Sequence, residues 1–89
     1  MITESDKNIL IDCDKKFGVS ALYLFGSSTT NEMSPQDIDV GVKGVPPEKF
    51  FSFYAQLLRR LSIPVDVVDM TKPSMFVGII EETGMRIYG

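Results

Sequence analysis

The run Asp37-Ile-Asp-Val-Gly-Val42 alternates without a break, and no other stretch constrains this chain as much. Successive side chains of a strand point to opposite faces, so Ile38, Val40 and Val42 share one face while Asp37, Asp39 and Gly41 share the other. Such a strand cannot be buried on both sides. It requires a sheet with one face packed and the other wet. Asp37 and Asp39 then project the same way, roughly 7 Å apart along the strand. Two carboxylates so close repel unless a cation neutralises them. Mg²⁺ is the fitting ion, with Mn²⁺ as a substitute, because it takes one or two carboxylates plus water and substrate phosphates.

The flanking segments supply a sheet for this strand. Val19-Ser-Ala-Leu-Tyr-Leu-Phe25 is short, apolar and aromatic, and reads as a buried strand that runs directly into Gly26-Ser27. Val65-Asp-Val-Val68 alternates weakly as a third strand, with Asp66 opposite in direction to Val65 and Val67. Met85-Arg-Ile-Tyr88 reads as a fourth. Three helices are expected. The first runs from about Ser5 to Phe17, with Ile9, Cys13 and Phe17 on one face and Gly18 as its stop, so Cys13 is read as core. The second follows the prolines at Pro46-Pro47 and carries the stripe Phe50, Tyr54, Leu57, Leu58, Leu61. The third spans about Met75 to Glu82.

The resulting order, α-β-β-α-β-α-β in 89 residues, fits one domain and has no material for a second core. The expected fold class is α+β, a two-layer unit whose mixed sheet is covered by helices on one face and exposes the carboxylates on the other. Asp66 joins Asp37 and Asp39 if its strand lies beside theirs and faces the same way. Three carboxylates are enough to hold two metal ions for in-line displacement at phosphorus. Gly26 and Ser27, at the end of a strand, offer backbone N–H groups and a hydroxyl to phosphate oxygens.

Composition removes other chemistries. The chain has no histidine and one cysteine, so Ser-His and Cys-His sites, the usual zinc sites and an internal disulfide framework are excluded. A net charge of -3 argues against autonomous binding to nucleic acid, which needs clustered Lys and Arg. No apolar run approaches the roughly 20 residues that span a bilayer, and the polar, acidic start does not read as a signal peptide. A cytoplasmic protein is expected. The aromatics Phe50, Phe51, Phe53 and Tyr54 cannot all face one core from a single helix, so at least one should be exposed or meet a partner, and self-association is a further expectation.

Each feature also has a plainer reading. An isolated Asp-x-Asp on a strand is ordinarily a pair of solvated carboxylates. A Gly-Ser after a strand occurs in many unrelated loops. Tyr23 and Phe25 read as core residues before they read as stacking surfaces.

Taken together, Leu24-Phe-Gly-Ser27, then nine residues, then Asp37-Ile-Asp39, then Val65-Asp66-Val-Val68 resembles the signature of the minimal nucleotidyltransferases. These belong to the DNA polymerase beta-like nucleotidyltransferase superfamily. The resemblance implies Mg²⁺-dependent transfer of a nucleoside monophosphate, AMP from ATP, to a hydroxyl. It implies Gly26 and Ser27 at the triphosphate, and Asp37, Asp39 and Asp66 as the catalytic metal ligands. It further implies an antitoxin-like component of a two-protein system, acting on a HEPN-type partner protein. Many relatives carry an arginine shortly after the Gly-Ser pair, where this chain has Ser28-Thr-Thr-Asn31. That difference leaves a second reading open, a non-catalytic nucleotide- or partner-binding module that works by occlusion.

Overall fold

The computed structural model describes residues 2–26 and 37–89. Helix α1 (Glu4–Phe17) begins where Thr3 Oγ1 accepts a hydrogen bond from the Asp6 N–H, 3.1 Å, and ends at Gly18, whose φ of 68° is left-handed. Strand β1 (Ala21–Phe25) follows, then β2 (Ile38–Lys43), helix α2 (Pro47–Arg60), β3 (Val65–Asp69), helix α3 (Met75–Thr83) and β4 (Met85–Tyr88). Every expected element is present in the expected order.

The strands form one sheet in the order β3-β2-β1-β4. Strand β1 pairs antiparallel with both β2 and β4, whereas β2 and β3 are parallel, so the sheet is mixed. The parallel pair needs a crossover, and α2 provides it. Proline at its first turn suits the entry of that helix, and from its middle Tyr54 Oη donates to the Val65 carbonyl, 3.0 Å, tying α2 to the start of β3.

One face of the sheet is closed by α1 and α2. Leu22 and Leu24 of β1 and Ile38, Val40 and Val42 of β2 meet Leu10 and Cys13 of α1 and Phe53 and Leu57 of α2, all fully or almost fully buried. Each such side chain contributes about 1.5–3 kcal/mol through its removal from water. Cys13 is core, as expected. The stripe of α2 is centred differently from the sequence expectation: Phe53 and Leu57, four residues apart, form its middle, while Leu58, about 100° further round, is exposed.

Helices α1 and α2 are also joined by polar contacts. The buried carboxylate of Asp6 accepts from Ser62 N–H at 3.1 Å and from Ser62 Oγ at 2.5 Å, and Arg60 Nη1 donates to Asp12 Oδ2 at 2.7 Å.

The α+β class with a mixed sheet is as expected, but the layering is richer than a single covered face. Helix α3 lies over the opposite face, where Val77 and Ile80 pack with Ala21, Tyr23 and Met70 in a second small core. The reason is visible at Gly41. A Cβ there would stand 2.2 Å from Met70 Sδ and 3.6 Å from Ile80 Cγ2, so the absence of a side chain makes the room that Met70 and α3 occupy. Among the described residues no helix is long and apolar enough to cross a membrane.

Candidate active site

The carboxylates are positioned by strand register. In the parallel ladder Asp39 stands opposite Asp66, and in the antiparallel ladder Asp39 stands opposite Phe25. Register partners share a face, so Asp66, Asp39 and Phe25 form a row across three strands. The next row is Val68, Gly41 and Tyr23, over which α3 packs. Helix α3 therefore reaches the first row only at Phe25, where Phe76 packs, and leaves Asp39 partly exposed and Asp66 exposed at the end of the sheet where β1 finishes and β2 begins.

Asp66 thus lies on the neighbouring strand and faces the way Asp39 does. Asp69 does not compete for this role. Its register partner is Val42, on the other face, and its carboxylate accepts from the Thr71 N–H at 3.0 Å. Asp37 is exposed and sits immediately before β2. Gly26 follows β1 with a φ of 62°, and a Cβ on it would lie 2.8 Å from Asp39 Oδ2. The backbone at Gly26 and the Asp39 carboxylate are therefore in close approach. Ser27, the other residue expected at the triphosphate, lies outside the described residues, as do Ser28-Thr-Thr-Asn31.

Electrostatics mark the same place. Partial burial pushes the Asp39 carboxyl above its ordinary value, and the charges of Asp66 and then Asp37 push it further. This is like-charge crowding that a cation relieves. Among the described residues, which include Asp37, Asp39 and Asp66, no three acidic, cysteine or histidine groups converge as a set that could hold a metal ion. Mg²⁺ does not need three such groups, since one or two carboxylates with water and substrate phosphates complete its shell. Asp39 and Asp66, adjacent on one face and mutually repelling, fit that requirement.

A cavity of about 450 Å³ lies elsewhere on this face, lined by Ser20, Lys43, Gly44, Met70, Ser74 and Val77 among others. It is at the opposite end of β2, where the Lys43 ammonium is paired with Glu81 at 2.7 Å. The cavity and the carboxylate row are distinct features.

A mixed sheet that presents paired strand carboxylates beside a glycine turn is the arrangement expected of a nucleotidyltransferase domain. The chain belongs to the family described as polymerase beta, nucleotidyltransferase, whose model matches residues 7–89. Solved structures share the fold. A toxin-antitoxin crystal structure with AMP-PNP superposes with a TM-score of 0.73 at 23% identity, covering 93% of this chain and 73% of that one. The MntA-HepT toxin-antitoxin structure gives 0.72 at 20% identity, covering 98% and 73%. A tri-AMPylated Shewanella oneidensis HEPN toxin in complex with its MNT antitoxin gives 0.71 at 22% identity, covering 94% and 70%. No curated protein matches the chain at the sequence level.

Proposed function

We propose that this chain is a Mg²⁺-dependent nucleotidyltransferase that moves AMP from ATP to a hydroxyl of a HEPN-type partner protein, as the antitoxin-like half of a toxin-antitoxin pair. The observation that carries the reading is the register pairing of Asp39 with Asp66 beside Gly26 on one face of the sheet. The similar structures that contain AMP-PNP, or an AMPylated HEPN toxin with its MNT antitoxin, support the choice of donor and acceptor.

In this reading Asp37, Asp39 and Asp66 hold Mg²⁺, and Gly26 with Ser27 receives the triphosphate. The bound metal supplies charge neutralisation at the phosphates and acidifies the attacking hydroxyl. The acceptor oxygen forms a bond to the α-phosphorus, the bond from that phosphorus to the bridging oxygen breaks, and pyrophosphate leaves while the hydroxyl proton passes to water. Little beyond positioning and electrostatics is asked of the chain. Asp39 is central because it pairs with Asp66, feels the charge of both Asp66 and Asp37, and approaches the glycine turn.

Incubation of the protein with labelled ATP, Mg²⁺ and its HEPN-type partner tests the reading. Wild type is expected to label the partner, and Asp39→Asn is expected not to. Inhibition of the partner by both proteins, with no label transferred by either, would establish occlusion in place of catalysis.

A further inference from the structure

Phe76 holds a position that the transfer chemistry does not use. It lies in the first turn of α3, and its ring meets Phe25 edge to face, with centroids 5.9 Å apart and planes at 89°. Phe25 is the third member of the carboxylate row, opposite Asp39 and directly before Gly26. Adjacent strands lie roughly 5 Å apart, so the Phe25 ring stands one strand over from Asp39. Phe76 is 51% exposed, although Val77 beside it is buried. An edge-to-face pair occupies at most one face of one ring and leaves flat aromatic surface open. The other aromatic on this face, Tyr23, is buried, and its ring is approached by Lys43 and Arg86 at 5.9 Å each. Phe76 is thus the aromatic ring both open to solvent and joined to the carboxylate row among the described residues.

We propose that Phe76, backed by Phe25, is the wall on which the base of the bound nucleoside triphosphate stacks, and that it favours purines over pyrimidines. The inference rests on the triphosphate being held at Asp39 and Asp66. A nucleotide anchored there by its phosphates has its base free to reach outward, and the aromatic pair continues the same row. Stacking on a phenyl face is tolerant of hydrogen-bonding pattern but grows with the area of the base, which selects the larger ring system. Phe25 fixes the tilt of Phe76, while Met75 and Ile79, both exposed on the same helix, give the base an apolar rim.

The test compares Mg²⁺ complexes of ATP, CTP and inorganic tripolyphosphate by calorimetry on the full chain. For Phe76→Ala the affinity for MgATP should fall about tenfold, and that for MgCTP by less. Tripolyphosphate, which has no base, should bind both proteins equally. Phe76→Trp should restore MgATP binding. Because the chain contains no tryptophan, the single indole of that variant should be quenched by MgATP and not by Mg-tripolyphosphate. Equal MgATP affinity in wild type and Phe76→Ala, with tripolyphosphate still bound, would overturn the stacking wall alone. Loss of partner binding by Phe76→Ala at unchanged MgATP affinity would likewise overturn it and assign the surface to protein docking. If wild type binds neither MgATP nor Mg-tripolyphosphate, the phosphate site fails and the inference falls with it.

Discussion

Asp39 Oδ2 occupies the space that a side chain on Gly26 would need, 2.8 Å from where the Cβ would stand. Gly26 is also left-handed, which alone makes a side chain unfavourable by about 1–2 kcal/mol. Gly18 has a similar φ of 68° but nothing within 4 Å of its would-be Cβ, so it separates the two effects. Gly18→Ala should lower the melting temperature by the strain alone and leave nucleotide binding intact. Gly26→Ala should lower it further, because the Asp39 carboxylate must move, and should abolish the thermal shift produced by Mg²⁺ with a nonhydrolysable triphosphate. Equal behaviour of the two variants would mean that the contact between Gly26 and Asp39 has no consequence.

Asp14 is fully buried on α1, and neither carboxylate oxygen has a hydrogen-bond partner. Burial pushes its carboxyl from the ordinary 3.8 up to about 7. The sign follows from where the proton is held more tightly. Between pH 4 and 7 the unfolded chain releases a proton that the folded chain keeps, so stability falls as pH rises through that window and levels off above it. The full penalty is about 4 kcal/mol, from 1.36 kcal/mol per pK unit. Asp14→Asn should remove this slope and raise the urea midpoint most at pH 8. An unchanged pH dependence in the variant would show that Asp14 is hydrated or paired in solution.

Gly41 offers a check on the placement of α3. Gly41→Ala forces a Cβ into Met70 and should destabilise by about 1–3 kcal/mol, the usual range for overfilling a packed site. Combining it with Met70→Ala should recover part of that loss, since the two side chains compete for one space. Strict additivity in the double-mutant cycle would place Met70 and α3 away from this face.

Much of this arrangement is legible in the sequence, and the exceptions have physical reasons. Strand alternation placed Asp39 on the face opposite the main core, with Asp37 falling just before the strand, and helix punctuation located all three helices to within a residue or two. The pairing of Asp39 with Asp66 depends on which strands are neighbours and in what register, and alternation within one strand cannot supply that. The side taken by α3 was missed for a similar reason. Its apolar periodicity says that it packs, but not against which face, and the informative residue was Gly41, three positions into another element. Phe25 read as core because it is aromatic and in a strand; only its place opposite Asp39 marks it as the edge of a site.

The crowded aromatics of α2 resolve into opposite roles at Phe51 and Phe53. Phe53 is fully buried and meets Phe17 edge to face at 5.5 Å, whereas Phe51 is 82% exposed. A charge at position 53 must be taken out of water, and at position 51 it stays in it. Phe53→Asp should therefore unfold the domain, read as loss of the cooperative thermal transition. Phe51→Asp should keep the wild-type melting temperature to within a degree or two. An exposed aromatic on a helix is a better interface anchor than scattered charge, and Leu58, also exposed, lies seven residues on along the same face. Phe51→Asp is accordingly expected to weaken self-association or binding of the HEPN-type partner at least tenfold in a pull-down titration, with light scattering reporting any change of mass. Unaltered partner affinity and mass in this folded variant would exclude the outer face of α2 as a contact surface.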